Sequence, residues 1–384
     1  MLFNPSIVNT TAYALTELHN RAIQLKEQGI DIINATIGDP KDDTPESIPQ
    51  ALSHALTRQS YSQYPPYIGS QPLRQAIAHW AHREYAIDLN PNDHIVACNG
   101  TKEAIFSFPL LFDWSDNAVI AQPSLSYPVY HMSALYHHIP MVSLPLSLRN
   151  GFLPDLDAIP DATLQKIRLL WINSPHNPTT TIASKAYLTQ LVALAEKYNF
   201  IVCSDECYND LYDQQKPASI MEIDSIHWVC FRSLSKRSHM TGYRSGAIIS
   251  QNKDLIQWLK KMRSPMGVGT PSFIQEAAIW AWSDDRHVDK HRALYNTKRT
   301  RLKQALNQAG LSVFGGNAGF YMWVKSPKYS TSESLSQWFL DHRIMVTPGT
   351  TFGDDGNPYI RLVFCLRDDE LNRLIDQLAH DPIR

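Results

Sequence analysis

Short apolar runs alternate with amphipathic stretches through the middle of the chain. The runs cover residues 95–98, 118–121, 141–144, 169–172, 201–204, 228–231 and 247–249. Most gaps between them are long enough for a crossover helix. This alternation predicts seven strands of an α/β sheet buried on both faces. Upstream, residues 16–28 read as a helix with Leu18, Ala22 and Leu25 on one face and Gly29 as its stop. A strand-like run at 30–37 ends in Gly38-Asp39-Pro40. Helices at 48–58 and 73–85 flank an aromatic, Pro-rich loop, 61–69. Beyond residue 250 the pattern changes. Helices at 254–262, 274–282, 287–309, 332–342 and 368–379 mix with strand-like runs at 320–324, 344–346 and 359–364. That mixture predicts a smaller α+β domain. Residues 45–285 are expected to form the large domain, and 1–44 with 286–384 the small domain and an N-terminal arm.

Composition narrows the function classes. The 384 residues are 43% apolar, enough to bury a sizeable core, and the formal net charge is −2. That charge argues against nucleic acid or an anionic membrane as the main partner. Five cysteines (Cys98, Cys203, Cys207, Cys230 and Cys365) are scattered through apolar runs. Their odd number and spacing fit neither a disulfide framework nor a zinc site, so they read as core thiols in a reducing compartment, and no metal is expected. No apolar stretch approaches the length of a transmembrane helix. The opening Met1-Leu-Phe-Asn-Pro5 lacks a basic flank followed by an apolar core, so a cytoplasmic protein is expected.

The candidate chemistry clusters where predicted strands end, which is where such sheets bind ligands. After the first strand comes Asn99-Gly100-Thr101-Lys102-Glu103, opening a helical run; a glycine and a hydroxyl at a helix N-terminus make a phosphate cradle. After the fourth comes Asn173-Ser-Pro-His-Asn177-Pro-Thr179. The fifth ends at Asp205, with Tyr208 three residues on. The sixth leads into Ser233, Ser235 and Lys236, and Arg244 follows eight residues after the lysine. A lysine held partly dry at a strand end loses pKa and can form a Schiff base. The hydroxyls and Arg244 beside it suit a phosphate. Lysine plus phosphate ligands is what pyridoxal phosphate requires of a protein. Taken singly, each motif has a blander reading. Gly38 fits a plain turn, Asp205 to Tyr208 a capped helix start, Arg361 a structural ion pair, and Lys236 a solvated basic loop. Ser233-Leu-Ser-Lys236 also fits the S-x-x-K of serine β-lactamases, and Ser115-Asp-Asn117 supplies an S-D-N. There, however, the order is reversed, no K-T-G occurs, and no export signal is seen.

As a set, from Ile37-Gly-Asp-Pro40 to Arg361, these residues resemble the fold-type I, class I/II pyridoxal-phosphate-dependent aminotransferases, relatives of aspartate aminotransferase. The resemblance implies an α/β large domain whose mostly parallel seven-stranded sheet is sandwiched by helices. It implies that Lys236 is the catalytic lysine that carries the cofactor as a Schiff base. Asp205 would pair with the protonated pyridine nitrogen, a charge that an opposite charge favours. Tyr208 and Asn177 would hydrogen-bond the ring hydroxyl, and Tyr127 would stack on the ring. Gly100, Thr101, Lys102, Ser233, Ser235 and Arg244 would hold the phosphate, joined by Tyr64 reaching across from a partner subunit. Arg361 would grip the substrate α-carboxylate bidentately, as a lysine could not, with help from Asn177 and the Gly38 backbone. The implied partners are small amino acids and keto acids, with glutamate as amino donor, in a homodimer.

The family's usual Asn-Pro-Thr-Gly or Asn-Pro-Ser-Gly is here Asn177-Pro-Thr-Thr180. A positive φ is costly for a β-branched residue, so the turn is expected to avoid it at Thr180. The loop before Tyr127 also looks longer than usual. Three stretches resemble one branch, the bacterial N-succinyldiaminopimelate aminotransferases: Phe231 to Ser238, Gly100 to Phe106 and Trp282 to Val288. For that long substrate, Arg263, Lys102 and Arg237 are candidates for the distal carboxylates. Aspartate- or alanine-type aminotransferases and β-lyases share the same chemical core. A non-enzymatic regulator of this fold would carry an added DNA-binding module, which this chain is not expected to hold.

Overall fold

All seven apolar runs form strands, and they lie in one sheet. The structure, a computed structural model, describes residues 3–8, 14–58 and 62–383. The run at 30–37 contributes only a two-residue strand, β1 (Ile33–Asn34). The seven runs become β2 (Ile95–Cys98), β3 (Val119–Pro123), β4 (Met141–Leu144), β5 (Ile167–Asn173), β6 (Ile201–Asp205), β7 (Trp228–Ser233) and β8 (Gly246–Ile249). Their order across the sheet is β2-β8-β7-β6-β5-β3-β4. Only β8 runs antiparallel to its neighbours, β2 and β7; the remaining pairs are parallel.

Parallel neighbours need crossovers, which helices supply here. Helix Pro128–Tyr136 links β3 to β4, and helix Lys185–Tyr198 links β5 to β6. The latter is started by the Ser184 hydroxyl, which accepts from Tyr187 N at 3.1 Å. The antiparallel β7–β8 pair needs no crossover. Its connection, residues 234–245, carries Lys236 and Arg244. The direction of β8 thus brings both side chains to the same end of the sheet.

A second sheet has the order β12-β13-β10-β9, from β9 (Ser312–Phe314), β10 (Tyr321–Lys325), β12 (Thr347–Pro348) and β13 (Ile360–Val363). Between them β11 (Ile344–Met345) pairs in parallel with β1. One apolar cluster packs beneath the large sheet around Trp80, Trp228 and Trp282. Another packs behind the small sheet against helices Arg286–Gln308 and Asp368–His380, and it includes Tyr208 and Leu211 from the loop after β6. The run at 30–37 is cut short because its end turns over the cavity: the Thr36 hydroxyl donates to Asn34 Oδ1 at 2.6 Å, and Thr36 O accepts from Arg361. No helix among the described residues is long and apolar enough to cross a membrane. Tyr61, at the head of the Pro-rich loop, lies outside the described residues, as do Met1 and Leu2.

Candidate active site

A cavity of about 480 Å³ opens at the carboxyl ends of β5, β6 and β7, with Arg361 of β13 in its wall. One end of it is basic. Helix Thr101–Ser107 begins there behind Gly100, whose φ is 78°. A Cβ on Gly100 would overlap the Arg244 guanidinium, so a glycine is needed for that approach. Arg244 donates to Thr241 O at 2.9 Å. Lys102, Thr101, Ser233 and Ser235 face the same space. Burial and the neighbouring Arg244 charge lower the Lys102 pKa. Two cations, hydroxyls and a helix N-terminus suit a dianionic phosphate.

Lys236 stands at the centre, on the short helix Leu234–Arg237. Its Nζ donates to Gly38 O. Burial pulls its pKa below the usual lysine range, and Arg244 adds to that. At the far end Asp205 Oδ2 accepts from Tyr130 OH at 2.8 Å. Burial raises the Asp205 pKa, and it forms no ion pair among the described residues. Tyr130 is held flat on Trp171, with ring centroids 4.8 Å apart and planes 4° from parallel. Tyr127 lines the cavity and meets Tyr130 edge-on at 5.8 Å.

Arg361 is 2% exposed and has no carboxylate partner among the described residues. It lies between the rings of Tyr321 and Phe352, 4.6 and 4.7 Å from their centroids. Its Nη1 donates to Asn177 Oδ1 at 2.8 Å, its Nη2 donates to Thr36 O, and its Nε is unpaired. Asn177 is fixed in turn by its N–H to Asn173 Oδ1 at 2.6 Å. Tyr208 OH shares a short hydrogen bond with Tyr321 OH. A buried carboxylate and a buried guanidinium, neither with a counter-charge among the described residues, therefore face one cavity together with a basic, phosphate-like end. Such charges are costly unless a ligand compensates them. The set fits pyridoxal phosphate carrying an amino acid: Asp205 for the ring nitrogen, the basic end for the phosphate, Arg361 for a carboxylate.

The cavity wall thus brings together Thr101, Lys102, Tyr127, Asn177, Asp205, Tyr208, Ser233, Ser235, Lys236, Arg244, Arg361 and Gly38. Gly100 stands just behind it. Tyr64 does not join them; its ring is fully exposed. Two distal candidates are corrected. Arg263 is buried and donates to both Glu103 oxygens, at 2.7 and 3.0 Å. Arg237 is buried and paired with Asp285. Neither lines the cavity, which leaves Lys102. Sequence reasoning missed Thr36 and Tyr321 in the wall and Tyr130 behind it. It also missed Leu15, Thr16 and His19, by which helix Ala14–Glu27 covers one side. Of these, Tyr130 stands three residues after the predicted ring-stacking Tyr127.

Thr180 is a further correction, since its φ is 62° despite the branched side chain. The conformation is held by Thr180 N donating to His176 O at 2.7 Å and by Thr180 Oγ1 accepting from Gly316 N at 2.6 Å. The threonine hydroxyl thus ties this loop to the start of the small sheet, which a glycine could not do. Thr180→Val keeps the strain and orphans the Gly316 N–H, so it should lose about 1–3 kcal/mol. Thr180→Gly relieves about 1–2 kcal/mol of strain while losing the bond, so it should stay within about 1 kcal/mol of the parent. Urea unfolding of the two variants checks this; a Thr180→Val protein as stable as the parent would show that the hydroxyl contributes nothing.

Two of the three branch-like stretches meet each other, and the third, Gly100 to Phe106, holds Arg263. Arg237 pairs with Asp285, the Ser238 hydroxyl bonds His287 Nε2 at 2.7 Å, and Glu103 holds Arg263. They brace the lysine loop and the phosphate-end helix from behind the cavity.

Comparisons with known proteins agree with this geometry. The family model for aminotransferase class I and II matches residues 30–378. LL-diaminopimelate aminotransferase of Aquifex aeolicus is 34% identical over 373 residues, 96% of each chain. Substrate-bound BacF from Bacillus subtilis superposes with a TM-score of 0.93 at 26% identity, covering 99% of this chain and 98% of that one. A probable N-succinyldiaminopimelate aminotransferase from Thermus thermophilus shares the fold, with a TM-score of 0.88 at 21% identity, covering 96% and 99%.

Proposed function

Because the chain belongs to the class I and II aminotransferases, pyridoxal-phosphate enzymes that move an amino group between amino acids and keto acids, we propose that Lys236 is its catalytic lysine and that its substrate is an amino acid with the diaminopimelate skeleton. Glutamate is the proposed partner donor. The observation that carries the site reading is the lowered-pKa amine of Lys236, set between the basic end and Asp205. The substrate class rests on similarity to LL-diaminopimelate aminotransferases along nearly the whole chain. The succinylated acceptor is the weaker alternative, because the LL-diaminopimelate aminotransferases are 34% identical along nearly the whole chain, whereas the probable N-succinyldiaminopimelate aminotransferase is 21% identical.

When bound, the cofactor supplies an electron sink for the pair left at the substrate Cα. Arg361 takes the α-carboxylate in its planar fork, with Asn177 fixing the guanidinium. Lys236 Nζ, neutral at lower pH than a surface lysine, takes the proton from Cα and returns one on the reverse path. The Asp205 carboxylate favours a protonated ring nitrogen, and Tyr130 holds that carboxylate in place. Lys102 and Arg244 would balance the phosphate charge, and Thr101, Ser233 and Ser235 would bond its oxygens. Tyr127 would stack on the ring and exclude water. Tyr208, backed by Tyr321, would offer its hydroxyl to the ring oxygen.

The division into residues 45–285 and 1–44 with 286–384 belongs to this proposal, and so does a homodimer. An exposed tyrosine in a Pro-rich loop, outside the lining of its own cavity, suits a residue that completes a partner's phosphate site. Sedimentation should show a dimer, and Tyr64→Phe should weaken cofactor binding. A fully active monomer would refute the arrangement. The function itself is tested by kcat/KM for LL-diaminopimelate against its N-succinyl derivative, aspartate and alanine, with 2-oxoglutarate as acceptor. The diaminopimelate skeleton should win. A preference of ~10-fold for aspartate or alanine, about 1.4 kcal/mol in transition-state binding, would overturn the substrate class. Release of ammonia and pyruvate from a cysteine-type substrate without amino transfer would point to β-elimination instead.

A further inference from the structure

One helix grips the three residues that follow Lys236. Helix Arg286–Gln308 carries His287, His291 and Tyr295 at spacings of four, which aligns them along one face. His287 Nε2 meets the Ser238 hydroxyl at 2.7 Å. His291 Nδ1 lies 3.1 Å from Arg237 O. A carbonyl only accepts, so His291 carries its proton on Nδ1. His239 turns its Nδ1 to Asp43 O at 3.3 Å, and its Nε2 accepts from Tyr295 OH at 2.9 Å. The His239 and His291 rings lie 3.5 Å apart and 2° from parallel.

This contact is not ordinary core filling. His239 sits at φ 51°, a backbone conformation that something must hold in place. Its carbonyl accepts from the Thr44 hydroxyl at 2.7 Å. His239 is therefore tied to the helix on one side and to residues 43–44 on the other. Five residues before Asp43 stands Gly38, whose carbonyl accepts from Lys236 Nζ. The lysine's root and the carbonyl that accepts from its free amine are thus both referenced to one pair of rings. Burial holds His239 and His287 near pKa 3 and lowers His291. Neutral rings can stack this closely without charge repulsion, beside Arg237, Lys298, Asp42 and Asp43. Arg237 is taken by Asp285, and Lys298 by Asp42 at 2.8 Å.

We propose that the stacked His239–His291 pair is a positioning device for Lys236, setting the path of its amine between Gly38 O and the substrate Cα. The proposal rests on Lys236 being the catalytic lysine. The test uses the holoenzyme and three variants. His291→Phe keeps a ring for stacking and loses the donor to Arg237 O. His291→Gln keeps a donor and loses the ring. His239→Asn keeps a donor toward Asp43 O and loses the stack. The expected result is a kcat lowered about tenfold in each, with KM for glutamate within about twofold, as for a displaced proton-transfer group. The pH midpoint of the cofactor's visible absorption should move by about 0.5 unit or more, a readout that a loss of packing alone leaves in place. The double variant His239→Asn/His291→Gln should fall further than either single change. If His291→Phe does not fold, the two polar variants carry the comparison. Folded variants with parental kcat and an unmoved midpoint would reduce the pair to core packing. Borohydride trapping of pyridoxal phosphate on a lysine other than Lys236 in the parent would overturn the catalytic assignment, and the positioning role with it.

Discussion

Lys236→Ala should bind pyridoxal phosphate and turn over no amino donor at a measurable rate. The phosphate end and Asp205 remain intact in this variant, so the cofactor still has its charge partners. What is lost is, among the described residues, the only lysine amine in the cavity besides Lys102, which stands at the basic end beside Arg244. A positioned general base contributes about 10²–10⁴-fold by itself. Lys236 should exceed that, because in its proposed role it also holds the cofactor covalently. Its environment argues for the assignment. Burial lowers its pKa, so the neutral amine is more available near pH 7 than on a surface lysine. The measurement is kcat with glutamate, together with borohydride reduction and peptide mapping of the parent. A label on Lys102 would sink the assignment, and so would a Lys236→Ala enzyme retaining more than about 1% of the parental rate.

The large sheet was legible because buried parallel strands have no polar face. Runs such as 201–204 and 228–231 are apolar at successive positions, and nothing in the alternation competes with that reading. Strands β9 and β12 escaped notice because two or three residues leave no period to detect; what makes them strands is the pairing of β9 with β10 and of β12 with β13. The site was legible where chemistry sits at strand ends, at Asp205, Ser233 and Lys236. It was illegible where tertiary packing decides. Tyr321 touches Arg361 only because β10 and β13 pair in a register that sets Trp323 opposite Arg361. Arg263 and Arg237 looked like free cations for the same reason. Their partners, Glu103 and Asp285, lie 160 and 48 residues away in the chain. The branch-like stretches teach a related lesson. Arg237, Ser238, Asp285 and His287 touch each other in pairs, so these four describe how the lysine loop is braced rather than how an acceptor is held. Thr180 shows the limit of a backbone rule: the penalty of positive φ is real, yet one hydroxyl bonded to Gly316 N suffices to hold it.

Arg361→Lys should lower kcat/KM for every amino donor by about 2–4 kcal/mol, or roughly 30- to 10³-fold, while cofactor affinity changes little. The guanidinium is buried, and two of its nitrogens are already oriented by Asn177 Oδ1 and Thr36 O. Its third nitrogen is unpaired, and no carboxylate compensates its charge among the described residues. An ion pair, the bland alternative for a buried arginine, is therefore absent among the described residues. The aromatic faces of Tyr321 and Phe352 hold the plane of the fork, so a carboxylate meets it with little further ordering. A lysine keeps the charge but offers a point donor on a flexible stem, and it leaves Asn177 Oδ1 or Thr36 O without a partner. Loss of a carboxylate clamp should appear as a raised KM together with a reduced kcat, because the same contact orients Cα toward Lys236. Absorbance titration with pyridoxal phosphate separates cofactor binding from this effect. An Arg361→Lys enzyme with parental kcat/KM for glutamate and for LL-diaminopimelate would remove Arg361 from the carboxylate site. One that instead lost the cofactor would move it to the phosphate or ring contacts.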